Sequence, residues 1–127
     1  MSADAKVVAA ALIDAIAAQD FESAEACFTP DARMRALVPS TLREVEGPEA
    51  IAARMRIWWG QTEHFELLES AIDEVGDRVS IRYRLYGKEP QAGWCVVEQS
   101  AYLEVQDGRI STLNLVCSGE RPAAPSP

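Results

Sequence analysis

Histidine is almost missing: His64 is the single copy in 127 residues, and the three cysteines, Cys27, Cys95 and Cys117, are far apart with no C-x-x-C spacing. One imidazole and scattered thiols do not make a metal-ligand set, and no nucleophile stands beside His64 to form a Ser-His-Asp or Cys-His relay. No metal and no cofactor is expected. The cysteines read as buried free thiols; a Cys95–Cys117 bridge, diagonal across neighbouring strands, is geometrically open but disfavoured in a reducing compartment. Basic charge is also short, 12 Lys and Arg against 20 Asp and Glu for a net charge of -8. Phosphate backbones and anionic membranes are repelled, so neither nucleic acid nor a membrane is an expected partner. No apolar run approaches the roughly 18 residues of a membrane span. Met1-Ser2-Ala3-Asp4 puts no basic segment ahead of the alanine-rich stretch, and a cytoplasmic location is the expectation.

What is present is enough apolar residue, 48% of the chain, for one domain over residues 1–118 with its own core. Val8, Leu12, Ala15 and Ile16 recur at helical spacing between Asp4 and Ala18. Asp20 reads as the N-cap of a short helix, Phe21 to Phe28, that Thr29-Pro30-Asp31 stops. A first strand follows over Arg33 to Val38, then an irregular loop over Pro39 to Glu46. Gly47-Pro48-Glu49 opens a third helix that ends at Gly60, with Ile51, Met55 and one tryptophan inward. Trp58 and Trp59 lie about 100° apart on a helix, so one is expected in the core and the other at a rim or interface. From His64 the chain alternates as strand. Residues 119–127, with three prolines and no periodicity, are expected to be a disordered tail.

Register decides what faces inward. Gly76-Asp77 suits a two-residue turn that pairs Glu74 with Val79, Ile72 with Ile81, Ser70 with Tyr83 and Leu68 with Leu85. A loop over Gly87 to Gly93 then sets Ile81 against Gln99 and Arg82 against Glu98, with Glu69 opposite Arg84. For the last hairpin, a three-residue bend at Gln106-Asp107-Gly108 pairs Val105 with Arg109. It places Cys95, Val97, Gln99, Ala101, Leu103 and Val105 on one face with Leu113, Leu115 and Cys117. The other face, from Trp94 and Val96 to Tyr102, Asn114 and Val116, mixes apolar and polar residues as a subunit interface does.

The order of two helices, a strand, a third helix and four antiparallel strands resembles the nuclear transport factor 2 superfamily, in its SnoaL-like branch. The matching stretches are Ala17-Ala18-Gln19-Asp20-Phe21-Glu22, Phe28-Thr29-Pro30-Asp31-Ala32, Glu46-Gly47-Pro48-Glu49-Ala50-Ile51, Gly76-Asp77-Arg78-Val79 and Asp107-Gly108-Arg109-Ile110. The resemblance implies an α+β fold, three N-terminal helices in the concave side of a strongly bent, mostly antiparallel sheet, a cone with an internal pocket. It also implies a homodimer through the outer sheet face. Ketosteroid isomerases of that superfamily use a carboxylate base, a tyrosine and a protonated aspartic acid. Their three positions fall here on Val38, Leu12 and Ala101, and the acid of limonene epoxide hydrolases falls near Leu115, so neither mechanism is carried over.

The expected pocket therefore consists of Val38, Met55, Trp59, Tyr83, Gln99, Ala101, Leu115 and Cys117, with His64 at its mouth and no inward carboxylate. Tyr83 and Gln99 could offer hydrogen bonds to a ligand, or could satisfy each other. Arg35, Arg43, Arg54 and Arg56 could draw an acidic ligand to the mouth or simply be solvated. Without a placed acid or base, the expected function is binding of a small, largely apolar metabolite. Two others remain open: a cyclase, isomerase or dehydratase-type enzyme on a polyketide-like or terpenoid substrate, and a partner-binding domain with a vestigial pocket.

Overall fold

The computed structural model describes residues 2–125; Met1 and the last two residues of the expected tail lie outside them. Helix α1, Ser2–Ala17, buries Val8, Leu12 and Ile16 on one face. It ends where Gln19 turns left-handed (φ 54°), which frees the Gln19 side chain to donate from Nε2 to the carbonyls of Trp59 (2.7 Å) and Thr62 (3.0 Å). The end of the third helix is thereby tied to the end of the first. Asp20 caps α2, Phe21–Glu25, accepting from the Ser23 amide (3.2 Å) and hydroxyl (2.7 Å), bonds that lower its carboxyl pKa. That helix is shorter than expected, because Phe28 already belongs to the next strand. Helix α3, Pro48–Trp59, follows a positive-φ Gly47 with proline in its first turn and buries Ile51, Met55 and Trp59.

One sheet wraps these helices, in the order β2-β1-β6-β5-β4-β3, with β1 and β6 parallel and the other pairs antiparallel. The strands are β1 Phe28–Val38, β2 Thr41–Glu46, β3 Glu63–Val75, β4 Arg78–Glu89, β5 Gly93–Gln106, β6 Arg109–Cys117 and β7 Arg121–Pro122. The sheet is strongly curved and open, and with the three helices it forms the α+β cone that the sequence implies. Phe28, Leu12, Ile16, Met34, Met55, Ile81, Leu103 and Leu113 fill its core, all below 2% exposed.

Several expectations are corrected. Residues Pro39 to Glu46 are not a loop: Pro39-Ser40 turns the chain, with Ser40 left-handed, and β2 pairs along β1 from Val38↔Thr41 to Arg33↔Glu46. The last hairpin turns on two residues, Asp107 (φ 54°) and Gly108 (φ 78°), pairing Gln106 with Arg109 and Val105 with Ile110. The extra residue sits further along. Val105 pairs with Ile110 and Glu104 with Thr112, so Ser111 bulges out and Ile110 and Leu113 both turn inward, each 0% exposed. The inner face is thus the expected one, but Gln99 pairs with Cys117 and Ala101 with Leu115.

On the other side, the Gly76-Asp77 turn pairs Glu74 with Val79, Ile72 with Ile81 and Ser70 with Tyr83 as expected. A bulge at Leu68 then gives Leu67 the place opposite Leu85 and leaves Leu68 48% exposed. Strand β4 runs on through Gly87 to Glu89, and the β4–β5 register is offset by two residues from the expected one: Ile81 meets Ala101, Arg82 meets Ser100, and Tyr83 meets Gln99 directly. Arg84 rather than Arg82 faces Glu98 (3.4 Å), and it also reaches Glu69 (3.5 Å). The segment after β6 does not run free either, since Arg121 and Pro122 pair with Val96 and Cys95.

Candidate functional site

Tyr83 and Gln99 stand opposite each other on the inner face of β4 and β5, and the Tyr83 hydroxyl donates to Gln99 Oε1 at 2.5 Å. Each is 1% exposed. Burial, with a smaller contribution from Cys117, holds the Tyr83 proton far above the usual phenol range, so this side chain donates and does not serve as a base. Its partner Gln99 borders an open space.

That space is a cavity of about 460 Å³ at one end of the cone. Val38 and Pro39 close it from the end of β1, Trp58 and Trp59 from the end of α3, and Val97, Gln99 and Cys117 from β5 and β6. The segment Ser118 to Arg121 forms its remaining side together with Glu89 of β4. Ser118 fastens that segment, its amide donating to the Glu98 carbonyl (2.9 Å) and its hydroxyl accepting from the Glu98 amide (2.9 Å). Beyond it, the Ala123 amide donates to the Trp94 carbonyl (3.1 Å) and the Tyr86 hydroxyl to the Ala124 carbonyl (2.5 Å).

Of the expected pocket residues, Val38, Trp59, Gln99 and Cys117 come together on this wall. Tyr83 lies behind Gln99. Met55, Ala101 and Leu115 are core residues, 0%, 4% and 3% exposed, rather than wall. His64 is not at the mouth: left-handed at φ 52°, it packs on Trp94 (5.4 Å), which stacks in turn on Tyr86 (5.4 Å). Trp94 has outward parity on β5, so this aromatic column belongs to the sheet's outer side. Arg35 pairs with Glu44 (3.1 Å) and Arg56 lies over the Phe21 ring (5.5 Å); neither borders the cavity.

Among the lining residues that the sequence reading did not place there, three matter most for what the cavity can bind. Trp58 borders the cavity along with Trp59, the two rings edge to face at 5.4 Å and 63°, because the cavity lies off the helix end, where both faces are accessible. Glu89 and Glu120 are the other two. Glu89 has the inward parity of Tyr83, Leu85 and Gly87, a signal hidden by ending the strand at the glycine. Gly87 is what allows the strand to pass here: a Cβ on it would meet Thr62 Cγ2 at 2.5 Å. Thr62, so placed, donates to Glu89 Oε1 at 2.7 Å. Glu120 falls in the segment that composition assigns to a disordered tail. Burial and the neighbouring Glu89 charge raise its carboxyl pKa.

Neither Cys95 nor Cys27 is poised as a nucleophile. Cys95, buried beneath Pro122, is pushed up to about 11 by its burial and by Glu89 and Glu120, and burial raises Cys27 as well. All three cysteines are free. Among the described residues no group of three or more His, Cys, Asp or Glu side chains is placed to hold a metal ion. No helix among them is long and apolar enough to cross a membrane.

A model of the SnoaL-like domain matches residues 9–113. The chain belongs to the SnoaL-like family. Similar solved structures include a candidate isomerase from Bacillus subtilis (TM-score 0.75, 16% identity, covering 91% of this chain and 86% of that one). A protein from Catenulispora acidiphila with a ketosteroid isomerase-like fold, in complex with trimethylamine, has a TM-score of 0.73 at 16% identity, covering 88% of this chain and 85% of that one. A candidate polyketide cyclase from Xanthomonas campestris pv. campestris has a TM-score of 0.72 at 18% identity, covering 89% of both chains. No curated protein sequence matches. At these identities the likeness establishes the SnoaL-like fold, and the chemistry has to come from this chain's own cavity.

Proposed function

We propose that this SnoaL-like protein binds a small, largely apolar organic molecule in the cavity between α3, the inner sheet face and the Ser118 to Arg121 segment. The observation that carries it is the wall itself: a partly open cavity of about 460 Å³ lined by Val38, Trp58, Trp59 and Val97 together with Gln99. Mostly apolar cavities of several hundred Å³ with a few convergent polar groups are the usual form of a small-molecule site. A screen of small organic molecules by ligand-observed NMR tests this. Binders should be found, and Val97→Trp, which fills the space, should abolish their signal while the outward change Glu98→Gln leaves it. Binding that survives Val97→Trp would place the ligand elsewhere.

Glu89 and Glu120 favour a second reading, a cyclase, isomerase or dehydratase-type reaction on a polyketide-like or terpenoid substrate. A carboxyl group whose pKa is raised can hold a proton closer to working pH than an ordinary one, which acid catalysis needs. The names of the Xanthomonas and Bacillus proteins are compatible with it. Under this reading Glu120→Gln abolishes turnover of a bound substrate without abolishing its binding; turnover that persists in the variant removes the reading.

A further inference from the structure

The two ends of the cavity differ in charge and hydrogen-bonding sense, and the difference specifies a ligand. At the inner end, Gln99 has spent its carbonyl oxygen on Tyr83. Its amide nitrogen has no hydrogen-bond partner among the described residues, and the 1% of the side chain that remains accessible lines the cavity. An amide N–H group in that position is complete only with an acceptor supplied from the cavity. At the other end stand Glu89 and Glu120. Glu89 receives one bond, from Thr62, and neither carboxylate is in a salt bridge among the described residues. Arg121 borders the same space, but its Nε is bonded to the Ser118 carbonyl at 3.1 Å. Trp58 and Trp59 line the wall shared with these carboxylates, and an indole face attracts a cation.

We propose that the ligand of this cavity is a small organic amine with a carbonyl or similar acceptor at its far end: the acceptor meets Gln99 Nε2, and the ammonium group lies by Glu89 and Glu120 against the tryptophans. This rests on the binding reading given above and narrows it. An anionic ligand would face two carboxylates against the single guanidinium of Arg121, in a protein of net charge -8. A neutral apolar one would leave the Gln99 amide without an acceptor and would bring no counter-charge to the carboxylates. Bringing the cation in offers each group a partner and relieves the Glu89 repulsion that, after burial, raises the Glu120 pKa.

Three probes of one shape separate the terms by isothermal titration calorimetry at low ionic strength: 4-(aminomethyl)acetophenone, its uncharged isostere 4-ethylacetophenone, and 4-ethylbenzylamine, which lacks the carbonyl. The expected order puts the amino ketone first, about tenfold above the neutral ketone, in line with a desolvated cation on indole and carboxylate, and about fivefold above the amine without an acceptor, as one hydrogen bond provides. In Glu120→Gln the advantage of the amino ketone over the neutral ketone should shrink toward parity, while binding of the neutral ketone is kept and shows the fold intact. A neutral ketone that binds as tightly as the amino ketone overturns this inference and leaves the pocket reading standing. So does an amine advantage that survives in both Glu89→Gln and Glu120→Gln. Binding of none of the three overturns the pocket reading and this one with it.

Discussion

A tyrosine only 1% exposed gives its proton to Gln99, which lines the cavity. Removing the donor leaves a buried carbonyl oxygen with no partner, which costs about 1–3 kcal/mol. Tyr83→Phe should therefore lower the unfolding free energy measured in urea by that amount, and adding Gln99→Leu, which removes the orphaned acceptor too, should restore part of it. A double variant no more stable than the single would show that the pair does not act as a unit. Glu120 gives a prediction of opposite sign. Its folded pKa lies above the ordinary carboxylate value, so it binds its proton more tightly in the folded state, and stability falls as pH rises through that window. Glu120→Gln should have a Tm above that of the parent at pH 7, and the gap should close by about pH 4, where the carboxyl is protonated in both states. An unchanged Tm difference across that range would mean that neither burial nor Glu89 perturbs this carboxyl in the fold.

At the scale of elements, two bulges decide which side chains are available. Leu68 is looped out of β3 and Leu67 packs against the core in its stead. Leu68→Glu should thus change stability by no more than about 0.5 kcal/mol, as exposed positions do, and Leu67→Ala should cost more, read from denaturant midpoints. The reverse ranking would restore the unbroken alternation that the sequence suggests. Helix spacing, the Asp20 cap, the Gly47-Pro48 helix start and the Gly76-Asp77 turn were all legible, because each rests on local chemistry of neighbouring residues. The bulges at Leu68 and Ser111 were not, since nothing local marks them; they go with the strong curvature of the long strands. The inner face of β5 and β6 was read correctly nonetheless. An assumed extra residue in the turn and an actual one at Ser111 have the same effect on parity. At the site, Gln99 and Cys117 could be read from parity, Tyr83 from its pairing face, Val38 from the resemblance and one of the two adjacent tryptophans from helical spacing, whereas Glu89 and Glu120 were hidden by Gly87 and by the proline-rich tail.

Across the whole molecule, apolar surface remains on the convex side. Leu42, Leu37 and Val116 are neighbours on adjacent strands, 48%, 51% and 57% exposed, with Tyr102 at 52% on the next strand. The sequence leads to a homodimer on this face, and we propose that a second copy covers that row. Sedimentation equilibrium should give twice the chain mass, and Val116→Glu should return it to the monomer; a monomeric parent protein contradicts this. The cavity opens on the other side of the sheet and would stay accessible in such a dimer. The three tryptophans divide in the same way, Trp58 and Trp59 at the cavity and Trp94 on the outer side. Their indole N–H signals in a nitrogen-15 NMR spectrum, followed as a cavity binder is titrated, test the central claim most directly. The account predicts that the Trp58 and Trp59 signals shift together and saturate while Trp94 stays in place. A titration that moves Trp94 and leaves the other two where they were would contradict it.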